Sequence, residues 1–448
     1  MTKTRTIHRC RECGATSARW LGRCPECAEW GSLEELPLAN GAGAVLHDAE
    51  RPVPVAEVDP LGAARRPTGL GELDRVLGGG LVAGSVTLLG GEPGTGKSTM
   101  MLQALGLMAE RGARCLLVSA EESREQVGLR ARRLGVSDPG VLVVSETSLP
   151  RILAHVDDVA PDVLAVDSVQ TIVDPDTPGV PGSVGQVREC AHRLVRVAKQ
   201  RGPSVLLVGH VTKEGTLAGP RALEHVVDTV LSFDGDRHHV LRLLRATKHR
   251  FGSTQEVGLF EMTGGGLVGV PDPSALLLAD RPAGVPGSVV APVLEGDRPL
   301  LVEVQALVAR TSAPLPRRSA QGLDGGRVAL LLAVLERRVD VPLSGFEVHA
   351  SVAGGVRVTE AGADLAVALA VTGARLDATL PAGTVALGEV GLGGEVRRVP
   401  RADRRLAEAA RLGFNRAVGP VSLPDVEGLS VLRVGTVRDA VAALGLTG

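Results

Sequence analysis

Two clusters of residues in this 448-residue chain have types and spacings that imply chemistry. The first is Gly91-Glu92-Pro93-Gly94-Thr95-Gly96-Lys97-Ser98-Thr99, which satisfies GxxxxGK[S/T]. Its glycines let backbone amides wrap phosphates, Lys97 reaches the β- and γ-phosphates of ATP, and Ser98 supplies a ligand to Mg2+. The second is Cys10, Cys13, Cys24 and Cys27, two CxxC pairs ten residues apart. Each pair bends around one ion, and together they close the tetrahedral thiolate shell that Zn2+ prefers. Protein fills all four positions, so the metal is expected to be structural. So small a segment cannot hold itself together by burial alone, and zinc with Trp20 and Trp30 is expected to supply most of its folding energy.

A phosphate loop works only between a strand and a helix, and the sequence provides both. Ser85 to Leu89 is an apolar strand candidate and Met100 to Ala109 a helical pattern. A second run, Val163-Leu-Ala-Val-Asp167, ends in an acid suited to the magnesium shell. A third, Cys115 to Ser119, runs into Glu121 and Glu122, where a base or positioning group for attacking water would sit. Glu121 is favoured, the alternative being a solvated acid at a helix start. A fourth, Ser204 to Val208, leads to His210, either a γ-phosphate sensor or a satisfied structural histidine. Strands alternating with helices, with ligands at strand C-termini, describe a doubly wound α/β sheet. Cys115 and Cys190 read as buried packing.

Composition narrows the function classes. Net charge is −2, so no global basic field exists to trap nucleic acid or an anionic membrane. The apolar runs are too short to span a bilayer and the polar N-terminus has no secretory core, so a soluble cytoplasmic protein with no membrane partner is expected. Of 49 lysines and arginines only Lys3, Lys97, Lys199, Lys213 and Lys248 are lysine. Where arginine supplies the generic charge, a lysine marks a place that needs a compact ammonium.

Four further segments carry a family resemblance. Leu70-Gly-Glu-Leu-Asp-Arg-Val-Leu-Gly-Gly-Gly-Leu81, Val118-Ser-Ala-Glu-Glu-Ser123, Gly215-Thr-Leu-Ala-Gly-Pro-Arg221 and Lys248-His-Arg-Phe-Gly252 follow the four-cysteine ribbon. Over essentially the whole chain they resemble the bacterial RadA (Sms) family of DNA-repair proteins. The resemblance implies a RecA-like P-loop ATPase core related to DnaB-type ring helicases, assembled as a hexameric ring. It further implies binding of single-stranded and branched DNA, branch migration of recombination intermediates, and RecA as protein partner. The family's KNRFG reads KHRFG here, so Lys248 and Arg250, not the amide, carry the expectation of cations that reach a neighbouring subunit's nucleotide. The alternative is a pair of solvated loop cations.

Aromatics are 2% of the chain, which argues against base stacking and for contacts to the DNA backbone. The loop Gln170 to Gln186 and the loop Lys213 to Arg221 are the DNA-facing candidates, with Lys213 and Arg221 the best phosphate contacts. Beyond Pro271, the stretches from Ser288, Leu300 and Gly388 look like the proteolytic domain of the Lon family, which uses a serine and lysine dyad. No lysine follows position 248, the stretch Thr359 to Leu365 has no serine, and Asp403 stands about where the lysine would be. A scaffold is therefore expected, with Arg397, Arg398, Arg401, Arg404, Arg405 and Arg411 forming either a DNA-guiding patch or a solvated helix face. The resulting architecture is a zinc ribbon at 1–36, a linker at 37–66, the ATPase at 67–270 and a Lon-protease-like α/β domain at 271–448. An ATP-dependent protease and a nucleotide-switched scaffold without translocation are the rival readings.

Overall fold

The computed structural model describes residues 6–13, 15–17, 19–37, 54, 56, 65–210, 222–235, 241–282 and 284–446. Lys213 and Arg221 lie outside them. The chain divides into two compact units. The first takes the residues up to Asp234 with Leu243–Thr254 and Met262–Gly269; the second takes Gly235–Arg242, Gln255–Glu261 and Val270–Gly448.

In the first unit the strand Val86–Gly91 is buried along its whole length, as a strand covered on both faces of a parallel sheet must be. Ser204–His210 and Thr229–Asp234 flank it, both parallel. Beyond Ser204–His210 come Val163–Asp167, Cys115–Ser119 and Val141–Ser145, again all parallel. The helices Lys97–Ala109, Arg124–Leu134, Leu149–Val159 and Val184–Arg201 provide the crossovers such a sheet requires. One core joins Val86, Leu88, Leu116, Val166 and Leu207 of the strands to Ile152, Val187 and Leu194 of the helices. On the other side Thr229–Asp234 pairs antiparallel with Leu241–His249. The register steps from Val230 opposite Lys248 to Leu231 opposite Ala246, so Thr247 is an extra residue, a β-bulge.

The ribbon's strands Thr6–Cys10, Thr16–Ser17 and Leu33–Pro37 form a small antiparallel sheet. Its core is Cys10, Cys24 and Leu33, with Cys13 and Ala15 partly buried against them. The tryptophans do not join it. Trp20 is 63% and Trp30 72% exposed, which overturns the expectation that indoles help hold the ribbon together. The thiolate shell has to do so without them.

The second unit is built on a seven-stranded mixed sheet. The alanine-rich helix Asp364–Leu376 packs on its long hairpin, Ser288–Glu295 and Arg298–Arg310. Val328, Leu331, Leu332 and Leu335 form the buried stripe of the helix Gly325–Arg338, as their spacing requires. Five of the six arginines read as a basic patch are engaged. Arg401 and Arg404 reach Asp297, Arg397 reaches Glu395, Arg411 grips Asp272 and Glu408, and only Arg398 lacks a partner among the described residues. Arg405 is wholly buried and donates to both Glu360 oxygens at 2.6 Å, to Pro292 O and to Pro400 O. Of the five, Arg405 alone is buried, and the other four stay half-exposed in surface pairs. No helix among the described residues is long and apolar enough to cross a membrane.

Removing Arg405 would strand two carbonyls and a carboxylate in this core. Breaking a buried pair from one side costs about 3–5 kcal/mol, and Glu360 keeps some water contact, so Arg405→Ala should lose about 3 kcal/mol. Urea unfolding of the full chain measures it; a loss below about 1 kcal/mol would show that Arg405 is replaceable by solvent.

Candidate active site and metal centre

The phosphate loop is held in shape by close packing that admits no side chain. A Cβ on Gly91 would meet the Phe233 carbonyl oxygen at 2.4 Å. Gly96, at φ 108°, begins the helix, and a Cβ there would meet Met262 Cε at 2.6 Å. The ammonium of Lys97, only 3% exposed, donates to the carbonyls of Gly91 and Glu92, both at 2.9 Å. That uses two of its three protons and leaves one for a phosphate oxygen. Burial lowers the Lys97 pKa, while the carboxylates of Asp167 and Glu121 pull it back up.

Asp167 ends its strand two positions from the loop's strand in the sheet, with Ser204–His210 between. Burial raises its pKa, and Glu121 adds to that; a hydrogen bond from the Ser98 side chain and the positive fields of His210 and Arg130 oppose it. Ser98 thus acts on the Asp167 carboxylate, as a second ligand of one magnesium shell would from nearby. Glu121, Asp167 and His210 place one ligand atom each within 4.8 Å of one another. His210 Nε2 lies 3.3 Å from Glu121 Oε1, and its buried Nδ1 has no partner.

Why Glu121 enters the site and Glu122 does not is local. Ser123 and Gln126 form a reciprocal capping box that fixes the start of the helix Arg124–Leu134. Ser119 Oγ donates to Glu122 O, and the Glu122 carboxylate is taken up by Arg130. Glu121 is left facing Ser168, whose hydroxyl donates to it. Ser168 and Arg130 carried no signal in the sequence; they matter only once the fold sets them beside the two acids.

Lys248 and Arg250 do not join this cluster. Lys248 Nζ donates to Glu224 O at 2.6 Å and Val227 O at 2.9 Å. Arg250 is exposed and pairs with Asp228 at 3.1 Å. Asp228, buried, also accepts from the Val86 amide at 3.0 Å and from Lys199 at 3.1 Å. It therefore ties Arg250 to the beginning of the strand whose end is the phosphate loop. Five residues at about 3.3 Å each separate those ends by roughly 17 Å, so Arg250 cannot reach the phosphates of its own chain. Lys199, with no task assigned from sequence, belongs to this knot.

The segment Gln170 to Gln186 is more ordered than a free loop. Gln186, buried, donates to Asp174 O and Thr177 O and accepts from the Asp174 amide, while Arg193 pairs with Asp174 at 2.7 Å. Pro175, Asp176, the tip around Val180 and Val184 stand out into solvent.

The four ribbon cysteines bring their sulfurs within 4.8 Å of one another, with Cys10 to Cys27 at 3.6 Å and Cys13 to Cys24 at 3.5 Å. Zinc–sulfur bonds of about 2.3 Å in a tetrahedron place sulfurs about 3.8 Å apart, so the set fits zinc. Cys115 and Cys190 are buried thiols, each pushed up to about 12 by burial, and are inert.

The comparisons with known proteins agree with this geometry. An ATPase family model described as KaiC matches residues 66–138, and one described as rubredoxin metal binding domain matches residues 8–35. The DNA repair protein RadA of Bacillus subtilis is 44% identical over 451 residues, covering 98% of both chains. The chain belongs to the RadA family. RadA of Mycolicibacterium smegmatis is 45% identical, covering 99% of this chain and 97% of its own, and RadA of Streptococcus pyogenes serotype M1 is 45% identical over 98% of this chain and all of its own. With the family comes its RecA-type ATPase fold behind a four-cysteine zinc ribbon.

In this chain the histidine at 249 takes part in hydrogen bonds at both ring nitrogens, Nδ1 with Thr229 Oγ1 at 2.9 Å and Nε2 with Leu77 O at 3.2 Å. Leu77 O can only accept, so Nε2 carries the proton and Nδ1 accepts from Thr229. The ring thereby ties the 70–81 signature to the 248–252 signature. Burial lowers its pKa, with Arg65 adding to the effect and the Leu77 bond opposing it. A depressed folded pKa contributes stability above the unfolded value near 6.5 that is lost as pH falls through the folded one. His249→Asn keeps a donor and an acceptor but cannot titrate. Unfolding followed from pH 7.5 to 5 should show a smaller acid-side loss in the variant, and parallel profiles would refute the assignment.

Proposed function

We propose that this chain is a DNA-dependent ATPase of recombinational repair, binding single-stranded DNA and driving branch migration as a cytoplasmic hexameric ring alongside RecA. The observation that carries the reading is the separation just described. Lys97, Ser98, Glu121, Asp167 and His210 gather at one end of the sheet, while the cations of the family's signature, Lys248 and Arg250, sit at the other. A site missing its transition-state cations is completed by a neighbour.

Within that site Lys97 and the loop amides bind the β- and γ-phosphates. Ser98 and Asp167 hold Mg2+, which neutralises charge on the phosphates when bound. Glu121, kept in place by Ser168, orients the attacking water and takes its proton. His210 stands against Glu121 at the end of the strand that precedes the 211–221 segment in sequence, and through it a change at the γ-phosphate is to be passed to Lys213 and Arg221. We assign 1–36 to the zinc ribbon, 37–66 to the linker, 67–270 to the ATPase and 271–448 to a Lon-like scaffold. Proteolysis is excluded from the proposal because Asp403 is exposed and Arg405 and Glu360 neutralise each other beside the region where the nucleophile would lie.

Two variants test the completed site. Lys97→Ala abolishes binding of the nucleotide's phosphates, and Arg250→Ala removes the trans cation, each cutting turnover by about a thousandfold. Chains of the two kinds mixed in one ring create some interfaces with both groups intact, so ATP turnover should partly return. No recovery in demonstrably mixed rings would place Arg250 outside the neighbour's site. In the unaltered protein, single-stranded DNA should stimulate turnover, and its binding should weaken steeply with salt.

A further inference from the structure

The chain has two tryptophans and no tyrosine, and both tryptophans are on the ribbon and face solvent. Leaving a large apolar side chain in water forgoes about 2–3 kcal/mol of burial, and this ribbon does so twice. The two indoles border one glycine: a Cβ on Gly22 would touch Trp30 Cζ3 at 3.7 Å and Trp20 Cη2 at 3.9 Å. They therefore form one surface, which Leu21, also exposed, extends. Arg23 pairs across from Trp30 in an isolated bridge, donates to Ala28 O at 2.6 Å, and holds its guanidinium 5.8 Å from the centre of the Trp30 ring. Arg19 is exposed beside Trp20, its backbone fixed at both ends by Ser17 Oγ.

We infer that Trp20 and Trp30, with Arg19 and Arg23, form a stacking surface for unpaired DNA bases. Flat π-faces flanked by guanidinium groups match a ligand of flat rings joined by phosphates. Such stacking accepts every base, because each has a π-face. Charge selects the mode of contact. Glu26 and Glu29 are exposed on the same ribbon, so it has little net attraction for a polyanion, and its share of binding is stacking and only weakly salt-dependent. The low aromatic content that argued against base stacking was a count over the whole chain, and what matters is that the indoles present are clustered and uncovered. The inference rests on the DNA-binding reading above, and the experiment separates the two.

Because the chain has no tyrosine, its tryptophan fluorescence reports the ribbon alone. The full-length protein is titrated with oligothymidine and with an abasic oligonucleotide of equal length, while labelled copies report binding by anisotropy. The expected result is quenching by oligothymidine and none by the abasic strand, with quenching that persists at salt concentrations that weaken overall binding. Trp20→Ala and Trp30→Ala should each weaken oligothymidine binding about tenfold while leaving one zinc per chain and basal ATP turnover unchanged. Binding without quenching, or equal quenching by both strands, overturns the stacking surface and leaves the DNA-binding reading standing. Absence of binding to either strand overturns both. Quenching by a purified recombinase but not by oligothymidine overturns the inference in favour of a protein-docking face. The fluorescence of the unaltered protein decides even where a variant loses its zinc.

Discussion

A single buried carboxylate holds the two ends of the catalytic unit in relation. Asp228 accepts from the backbone of Val86, where the phosphate-loop strand begins, and from Lys199 and Arg250. An isolated buried carboxylate would be costly, and three donors are what make it tolerable. The same bonds make the strand a rigid spacer with nucleotide chemistry at its C-terminal end and an outward-facing cation at its start. A chain built this way carries its nucleotide-binding residues and its exposed signature cation at opposite ends of one strand.

The nucleotide end shows how the sheet turns sequence into chemistry. Parallel strands end together, so Gly91, Ser119, Asp167 and His210 arrive at one rim from four distant parts of the chain. Burial there raises Asp167 and lowers Lys97, and the Asp167 and Glu121 carboxylates partly restrain the Lys97 shift. The capping box at Ser123 then separates neighbouring acids by role, sending Glu122 to Arg130 and leaving Glu121 to Ser168 and His210.

Much of this was legible in the sequence, and the exceptions have physical causes. The phosphate loop, Asp167 and the four cysteines are short-range patterns whose spacing is the geometry, so they could be read directly. The run Val86–Gly91 was equally plain because a strand buried on both faces needs no alternation. Asp228 and Lys199 were invisible, since their meaning depends on contacts 29 to 142 residues apart. Composition misled once: two tryptophans in a small ribbon suggested a core, yet both lie outside it.

The bulge at Thr247 sets a limit on how this lineage can change. Side chains alternate faces along a strand, so one residue more or fewer between Leu243 and Lys248 would exchange the faces of everything downstream, Lys248 and Arg250 together. Substitutions such as the histidine at 249 are compatible with the hairpin, whereas single insertions and deletions there are not. The hairpin is in effect a ruler, and a gap-free alignment across this short stretch should mark relatives that keep Lys248 and Arg250 in the same register.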